Sequence, residues 1–372
     1  MSRPTRAPER WVWVLLAFLP PCVVSGESSR FEGDGTELAA KVDAIARKWL
    51  EMPGAAGLSI AVGRQGEVLL ARGYGLADLE LEAAANAETM FRIGSVTKQF
   101  TAAAILRFVE RGDIGFDDDL SLYLPGFSLQ GRQVTIRQLL NHTSGIKSYT
   151  NLGPGWSSKW PMELSHSELL ALVEDQPFDF EPGTSFAYNN TGYYLLGMVL
   201  EEVSGKSYAE LLQEELFEPL KLARTRYDSN VDLIKNRAQG YAFDAGTLRN
   251  DQVIGMSQPG AAGALISTAQ DLVRWQIALT SGKIVSSESF ESMCTSAVLP
   301  DGRDTRYGFG LFVDELAGRK RIQHGGGIFG FNSILAWYPE ADVHVAVISN
   351  SEALPSGKVA DEIASLALGT DK

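Results

Sequence analysis

Two Ser-x-x-Lys stretches, Ser95-Val96-Thr97-Lys98 and Ser144-Gly145-Ile146-Lys147, place a hydroxyl and an amine three residues apart, the pairing from which an activated nucleophile can be built. A chain of this composition yields about one such stretch by chance, so context has to separate them. Ser95 opens a strong helix-forming run. In a helix, side chains three apart share a face, and the N-terminal dipole favours a developing alkoxide. Gly145 argues against a helix at Ser144. The plainer reading of Ser95 is a helix cap with Lys98 as a solvated first-turn residue. Tyr188-Asn189-Asn190 follows the turn signal Glu181-Pro182-Gly183-Thr184 and precedes a helix from Thr191, which sets a phenol able to accept and relay a proton on a connection. A packed aromatic would read the same way. Gln323-His324-Gly325-Gly326-Gly327 follows a short strand and precedes another, so its bare backbone can approach a substrate and offer an N–H, or simply shape a hairpin.

The elements that must position these groups fall into three blocks. Residues 35–52 carry Leu38, Val42, Ile45 and Leu50 at roughly helical spacing, and residues 57–62 and 67–72 read as two strands joined by a hairpin signal. From Ser95 to Glu110 the apolar residues cover most of a helix circumference, which predicts a central, buried helix ended by Arg111-Gly112-Asp113. Between about 115 and 255 the pattern changes to helical pieces (135–141, 167–174, 191–203, 207–216) broken by Pro, Gly and Asn. Strands return at 307–313, 320–324, 333–338 and 343–348, and residues 359–368 close the chain as a helix. The expected fold is α/β (α+β): an antiparallel sheet flanked by helices, built from both chain ends (27–115 plus 256–372), with an inserted, mostly helical domain at 116–255.

Composition narrows the function. The 372 residues include 33 Lys plus Arg against 46 Asp plus Glu, a formal charge of −13, which leaves no cationic excess to displace phosphate counterions and argues against a nucleic-acid partner. His142, His166, His324 and His344 form no ligand-spaced set with Cys22 and Cys294, so neither a metal nor another cofactor is expected, and two distant cysteines exclude a disulfide framework. MSRPTRAPER followed by WVWVLLAFL is a cationic stretch and a short apolar run, well below the roughly 20 residues of a spanning helix. Residues 1–26 therefore read as a signal peptide, cleaved after Val24-Ser25-Gly26, giving a secreted or periplasmic protein with no stable membrane span. An uncleaved anchor is the second reading. The partner expected is a small-molecule or peptide substrate, and the sequence leaves the oligomeric state open.

No GxSxG nucleophile elbow occurs; Gly57-Leu58-Ser59-Ile60-Ala61 and Gly183-Thr184-Ser185-Phe186-Ala187 both lack the final glycine. What the chain does resemble is the serine β-lactamase and penicillin-binding protein superfamily, in its class C β-lactamase-like branch with D-alanyl-D-alanine carboxypeptidase and esterase relatives. The resemblance rests on Ser-x-x-Lys at Ser95/Lys98, Tyr-x-Asn at Tyr188/Asn190, and His-x-Gly at His324/Gly326 in the place of Lys-Thr-Gly. Phe91-Arg92-Ile93-Gly94 before the serine, Leu139-Leu140-Asn141-His142-Thr143-Ser144-Gly145, and Gly263-Ala264-Leu265-Ile266-Ser267-Thr268 support it, over about residues 36–368. Ser144 then falls in a structural stretch.

The resemblance implies an acyl-enzyme route in which Ser95 attacks a carbonyl, Lys98 and Tyr188 share general-base and relay work, the N–H groups of Ser95 and Gly327 hold the oxyanion, and Asn190 holds the substrate amide carbonyl. It points to a serine hydrolase acting on D-alanyl peptides, β-lactams or small esters, or alternatively to a penicillin-binding or cell-wall-peptide sensor that does not turn over. At His324-Gly325 a fixed cation and a hydroxyl are replaced by a titratable ring and nothing. His324 is thus expected to be a charge partner for a substrate carboxylate that weakens between about pH 6 and pH 8.

Overall fold

A computed structural model describes residues 32–369, with side chains from Thr36 onward. The proposed signal segment 1–26 and Cys22 lie outside the described residues. The chain opens with helix α1 (Glu32–Leu50), then the hairpin β1 (Gly57–Arg64) and β2 (Glu67–Asp78) and the short strand β3 (Ala83–Ala84). The hairpin turns on Gln65 and Gly66, both at positive φ (52° and 78°), the backbone a two-residue turn needs to match strand twist. Helix α2 (Thr97–Arg111) and helix α3 (Asn190–Ser204) follow, then α4 (Ala269–Thr280), strands β4 (Phe312–Leu316), β5 (Arg319–Ile328), β6 (Phe331–Tyr338) and β7 (Val343–Ser349), and the closing helix α5 (Ser356–Ala367).

One seven-stranded sheet takes strands from both chain ends, in the order β3-β2-β1-β7-β6-β5-β4, with antiparallel neighbours. The seam is β1 against β7, where Leu58 faces Ser349 and Val62 faces Val345. Alternate side chains serve opposite faces. Leu58, Ile60, Val62, Val343, Val345 and Val347 pack into the core under α1 and α5, whereas Ala61, Ala346 and Ile348 join the larger core on the other side, which includes α2, α3 and α4. α4 lies so close to β1 that a Cβ on Gly63 would come within 2.6 Å of Val273 Cγ1. The arrangement is the mixed α/β fold with an antiparallel sheet flanked by helices that the sequence predicts.

The middle of the chain is helical but not purely so. Besides α3 it holds short helices such as Ile136–Leu140, whose N-cap Thr135 and Gln138 form a capping box, and also the ribbon Tyr241–Asp244 with Thr247–Asn250. The sequence reading placed no strands there. Its turn, Ala245-Gly246 at φ 51° and 80°, follows the same two-residue rule as the first hairpin but lacks an Asn-Gly or Asp-Gly pair to announce it. Among the described residues, no helix is long and apolar enough to cross a membrane.

Candidate active site

Ser95 sits in a tight turn, Gly94–Val96, that runs straight into α2. Thr97 through Leu106 are all buried, so α2 is the central helix its composition implies. The turn can form only against glycine. Gly94 has φ +48°, and a Cβ there would lie 2.9–3.0 Å from the backbone of Gly327, while a Cβ on Gly326 would meet Ile93 O at 2.0 Å. These two glycines let β5 cross the start of α2 at backbone contact, which puts Ser95 and Gly327 on the wall of one cavity. Gly325, Gly326 and Gly327 therefore belong to strand β5 itself, paired with Ile334, Ser333 and Asn332 of β6; the sequence reading had placed them on a connection between strands.

Lys98 is fully buried, and its Nζ lies 3.1 Å from Ser95 Oγ, 2.7 Å from Asn190 Oδ1 and 2.8 Å from Ala262 O. All three partners are neutral. Burial without a carboxylate holds the amine well below the ordinary lysine range. A neutral amine has two N–H groups, which Asn190 and Ala262 accept, and one lone pair, which is left facing Ser95. The rings of Tyr188 and Tyr193 lie 4.7 and 5.5 Å from the same nitrogen.

Tyr188 packs on the His142 ring at 4.4 Å and faces Phe312 and His324, so it is a packed aromatic as well as a candidate relay. Its hydroxyl is buried without a well-formed hydrogen bond among the described residues. Burial raises its pKa and the neighbouring Ser95 hydroxyl only partly offsets this, so the phenol stays protonated at neutral pH. Asn190, at the start of α3, donates from Nδ2 to Thr150 Oγ1 (3.2 Å), and Asn189 caps the helix by accepting from Gly192 N (2.9 Å). Asn190 lines the cavity beside Ser95.

His324 requires a correction. It is 1% exposed, its Nδ1 donates to Gly325 O at 2.6 Å, and its Nε2 accepts from the Tyr307 hydroxyl at 3.0 Å. Burial, followed by repulsion from Lys98 once that amine is protonated, pushes its pKa down to about 3. The ring is neutral throughout the physiological range and does not act as the titrating cation expected from its reference value, because that value assumes water around it. Ser144, by contrast, is buried with its Oγ accepting from Ile146 N (3.4 Å), and Lys147 pairs with Asp179. That second Ser-x-x-Lys is not assembled as a site.

A residue that the sequence reading left as structural, His142, holds both sides of Tyr188. Its carbonyl accepts from Ala187 N (3.1 Å) and its Nδ1 accepts from Asn189 N (3.1 Å), while its Nε2 is buried without a partner among the described residues. Its own backbone is left-handed (φ 62°). Truncation to Ala removes the side-chain clamp and should lower kcat on a neutral ester by about tenfold, since small displacements of a reacting group are costly. His142→Asn keeps an acceptor and tolerates the left-handed backbone, and should recover most of the loss. In a Tyr188→Phe background the Ala substitution should cost little more; an undiminished loss there would show that His142 does not act through Tyr188.

Comparison with known proteins fits this geometry. The family profile described as Beta-lactamase matches residues 42–369. A penicillin-binding protein of Bacillus subtilis (strain 168) is 29% identical over 312 residues, covering 79% of this chain and 68% of the relative. The octameric penicillin-binding protein homologue from Pyrococcus abyssi superposes with a TM-score of 0.79 at 31% identity, covering 89% of this chain and 77% of that one. D-amino acid amidase from Ochrobactrum anthropi SV3, solved with L-phenylalanine amide, gives a TM-score of 0.79 at 25% identity over 90% and 99% of the two chains. With the match running from α1 to the end of α5 and spanning the Ser95, Tyr188 and His324 motifs, the chain belongs to the beta-lactamase family.

Proposed function

We propose that the protein is a serine hydrolase that works through an acyl-enzyme and prefers small esters and amides lacking a carboxylate over β-lactams and D-alanyl peptides. The observation that carries the reading is the buried Lys98 amine, without a counterion and 3.1 Å from Ser95 Oγ. In the neutral form it takes the hydroxyl proton as Oγ attacks the substrate carbonyl. The N–H groups of Ser95 and Gly327 receive the developing oxyanion, and one such donor contributes about 3 kcal/mol. The second N–H of Asn190 Nδ2 holds the substrate amide. Tyr188, protonated, hands a proton to the leaving group and is restored from Lys98. Water then attacks the acyl ester, with Lys98 again the base.

The substrate preference follows from charge. Among the described residues no Lys or Arg lines either of the two cavities flanking Ser95, about 370 and 480 Å³, His324 is uncharged, and Glu352 lines the first. A substrate carboxylate thus finds no cation, and a charge-assisted hydrogen bond forgone is worth about 1.5–3 kcal/mol, roughly 10- to 100-fold in affinity. The test is a panel in one buffer. kcat/KM for p-nitrophenyl acetate should exceed that for nitrocefin and for a D-alanyl-D-alanine peptide by at least tenfold after correction for intrinsic reactivity. Faster turnover of either carboxylate substrate would reverse the assignment, and stoichiometric acylation by nitrocefin without turnover would favour a sensor.

A further inference from the structure

What the pocket of a hydrolase with an uncharged nucleophile pair selects depends on its lining, and a carboxyl group lines the Ser95 cavity. The wall is mostly apolar, formed by Tyr149, Trp156, Ile328, Phe329 and Phe331, and among the described residues its one lining carboxyl group is Glu352. Glu352 lies just beyond β7, its backbone fixed by donation to Tyr241 O (3.2 Å), and its Oε1 accepts from Gly330 N at 3.3 Å. Next to it is Asp251, whose side chain shares a hydrogen bond with the Glu352 carboxyl. Neither carboxyl group has an ion-pair partner among the described residues, although these form ion pairs at other surface positions. The two carboxyl groups share a proton through their hydrogen bond and still leave net negative charge beside an apolar pocket, which favours an incoming cation. Burial and Asp251 together raise Glu352, which is the electrostatic sign of that missing partner.

Which half of the substrate enters this pocket follows from the proton donor. Tyr188 and His324 line the other cavity with Ser95, so the leaving group departs on that side and the acyl group occupies the side of Asn190, Gly327 and Glu352. We propose that Glu352 binds an ammonium group carried on the acyl half of the substrate, behind an apolar spacer that packs on the aromatic wall. This rests on the serine hydrolase reading above and extends it to a substrate class: amine-bearing acyl esters and amides.

The test compares three p-nitrophenyl esters matched in length, the 6-aminohexanoate, the heptanoate and the hydrogen heptanedioate, so that ammonium, methyl and carboxylate occupy the same position. In the wild type kcat/KM should fall in that order, by about fivefold or more at each step, as expected for a partly desolvated charge contact. Glu352→Gln should bring the ammonium-to-methyl ratio to one or below, and Glu352→Lys should place the carboxylate ester first. Ratios taken within one preparation cancel any general change in activity. A ratio unchanged by both substitutions would overturn the proposal. Binding settles it independently of turnover. On Ser95→Ala protein, calorimetry should find 6-aminohexanamide several-fold tighter than heptanamide, and the Glu352→Gln double variant should lose the difference; equal binding in the Ser95→Ala protein would also overturn it. If ester hydrolysis survives Ser95→Ala, the hydrolase reading fails, while the binding comparison still decides the role of Glu352.

Discussion

Replacing Lys98 by methionine should lower kcat for a neutral ester by about 10³-fold and leave the protein at least as stable as the wild type at neutral pH. The two effects have one source. Lys98 is fully buried among neutral partners, so its folded-state pKa lies far below the unfolded value of about 10.4. The folded protein then binds fewer protons than the unfolded chain at any pH between those two values, and stability rises with pH across that window. At neutral pH the depressed amine is a standing cost, which a methionine of similar shape removes. The price is the base itself. Denaturant unfolding at pH 7 and pH 9 should show wild-type stability gaining more than that of the variant between the two. For activity, kcat/KM of the wild type should fall on acidification as Lys98 gains its proton, with no separate inflection near neutral pH from His324, whose pKa is pushed down to about 3. A variant that keeps its rate, or that unfolds because a favourable charge was lost, would place the base elsewhere.

Ser95→Ala should reduce ester turnover by on the order of 10⁴-fold or more and abolish covalent labelling by a fluorophosphonate, because among the described residues no other hydroxyl is hydrogen-bonded to the Lys98 amine. Ser144→Ala is the matched control, with the same motif spacing and none of the assembly. Its side chain is buried, the lysine of its motif is paired with Asp179, and the substitution should leave labelling in place. Loss of labelling in the Ser144 variant with retained labelling in the Ser95 variant would exchange the two assignments.

The sequence carried the outline of this site and missed its electrostatics. Ser95, Lys98, Tyr188 and Asn190 are legible because a strong helix start, a turn before a second helix and motif order coincide, and the structure brings the other three around the Lys98 amine. The β1–β2 hairpin and the sheet built from both ends follow from alternation and turn residues, which are local signals. Charge state is not local. His324 looks like a titratable partner until burial and the Lys98 amine are placed around it, and His142 looks like part of a structural loop until its carbonyl and ring nitrogen are seen holding the amides on both sides of Tyr188. Glycine spacing hinted at close backbone approach, but that Gly326 is needed because Ile93 O would meet its Cβ depends on two segments far apart in the chain. Glu352 and Asp251 have no motif at all; only the fold sets them together beside the pocket.

The most direct test of the central claim is the position and mass of the covalent intermediate. The protein is mixed with a slowly deacylating p-nitrophenyl ester, quenched in acid within the first turnover, digested and analysed by mass spectrometry. The account predicts one acyl group per chain, on the peptide containing Ser95 and assigned to that residue by fragmentation, and no acylated protein from the Ser95→Ala variant. An acyl group on Ser144 or Lys98, or sustained turnover with no acylated chain under conditions that trap the intermediate, would contradict it.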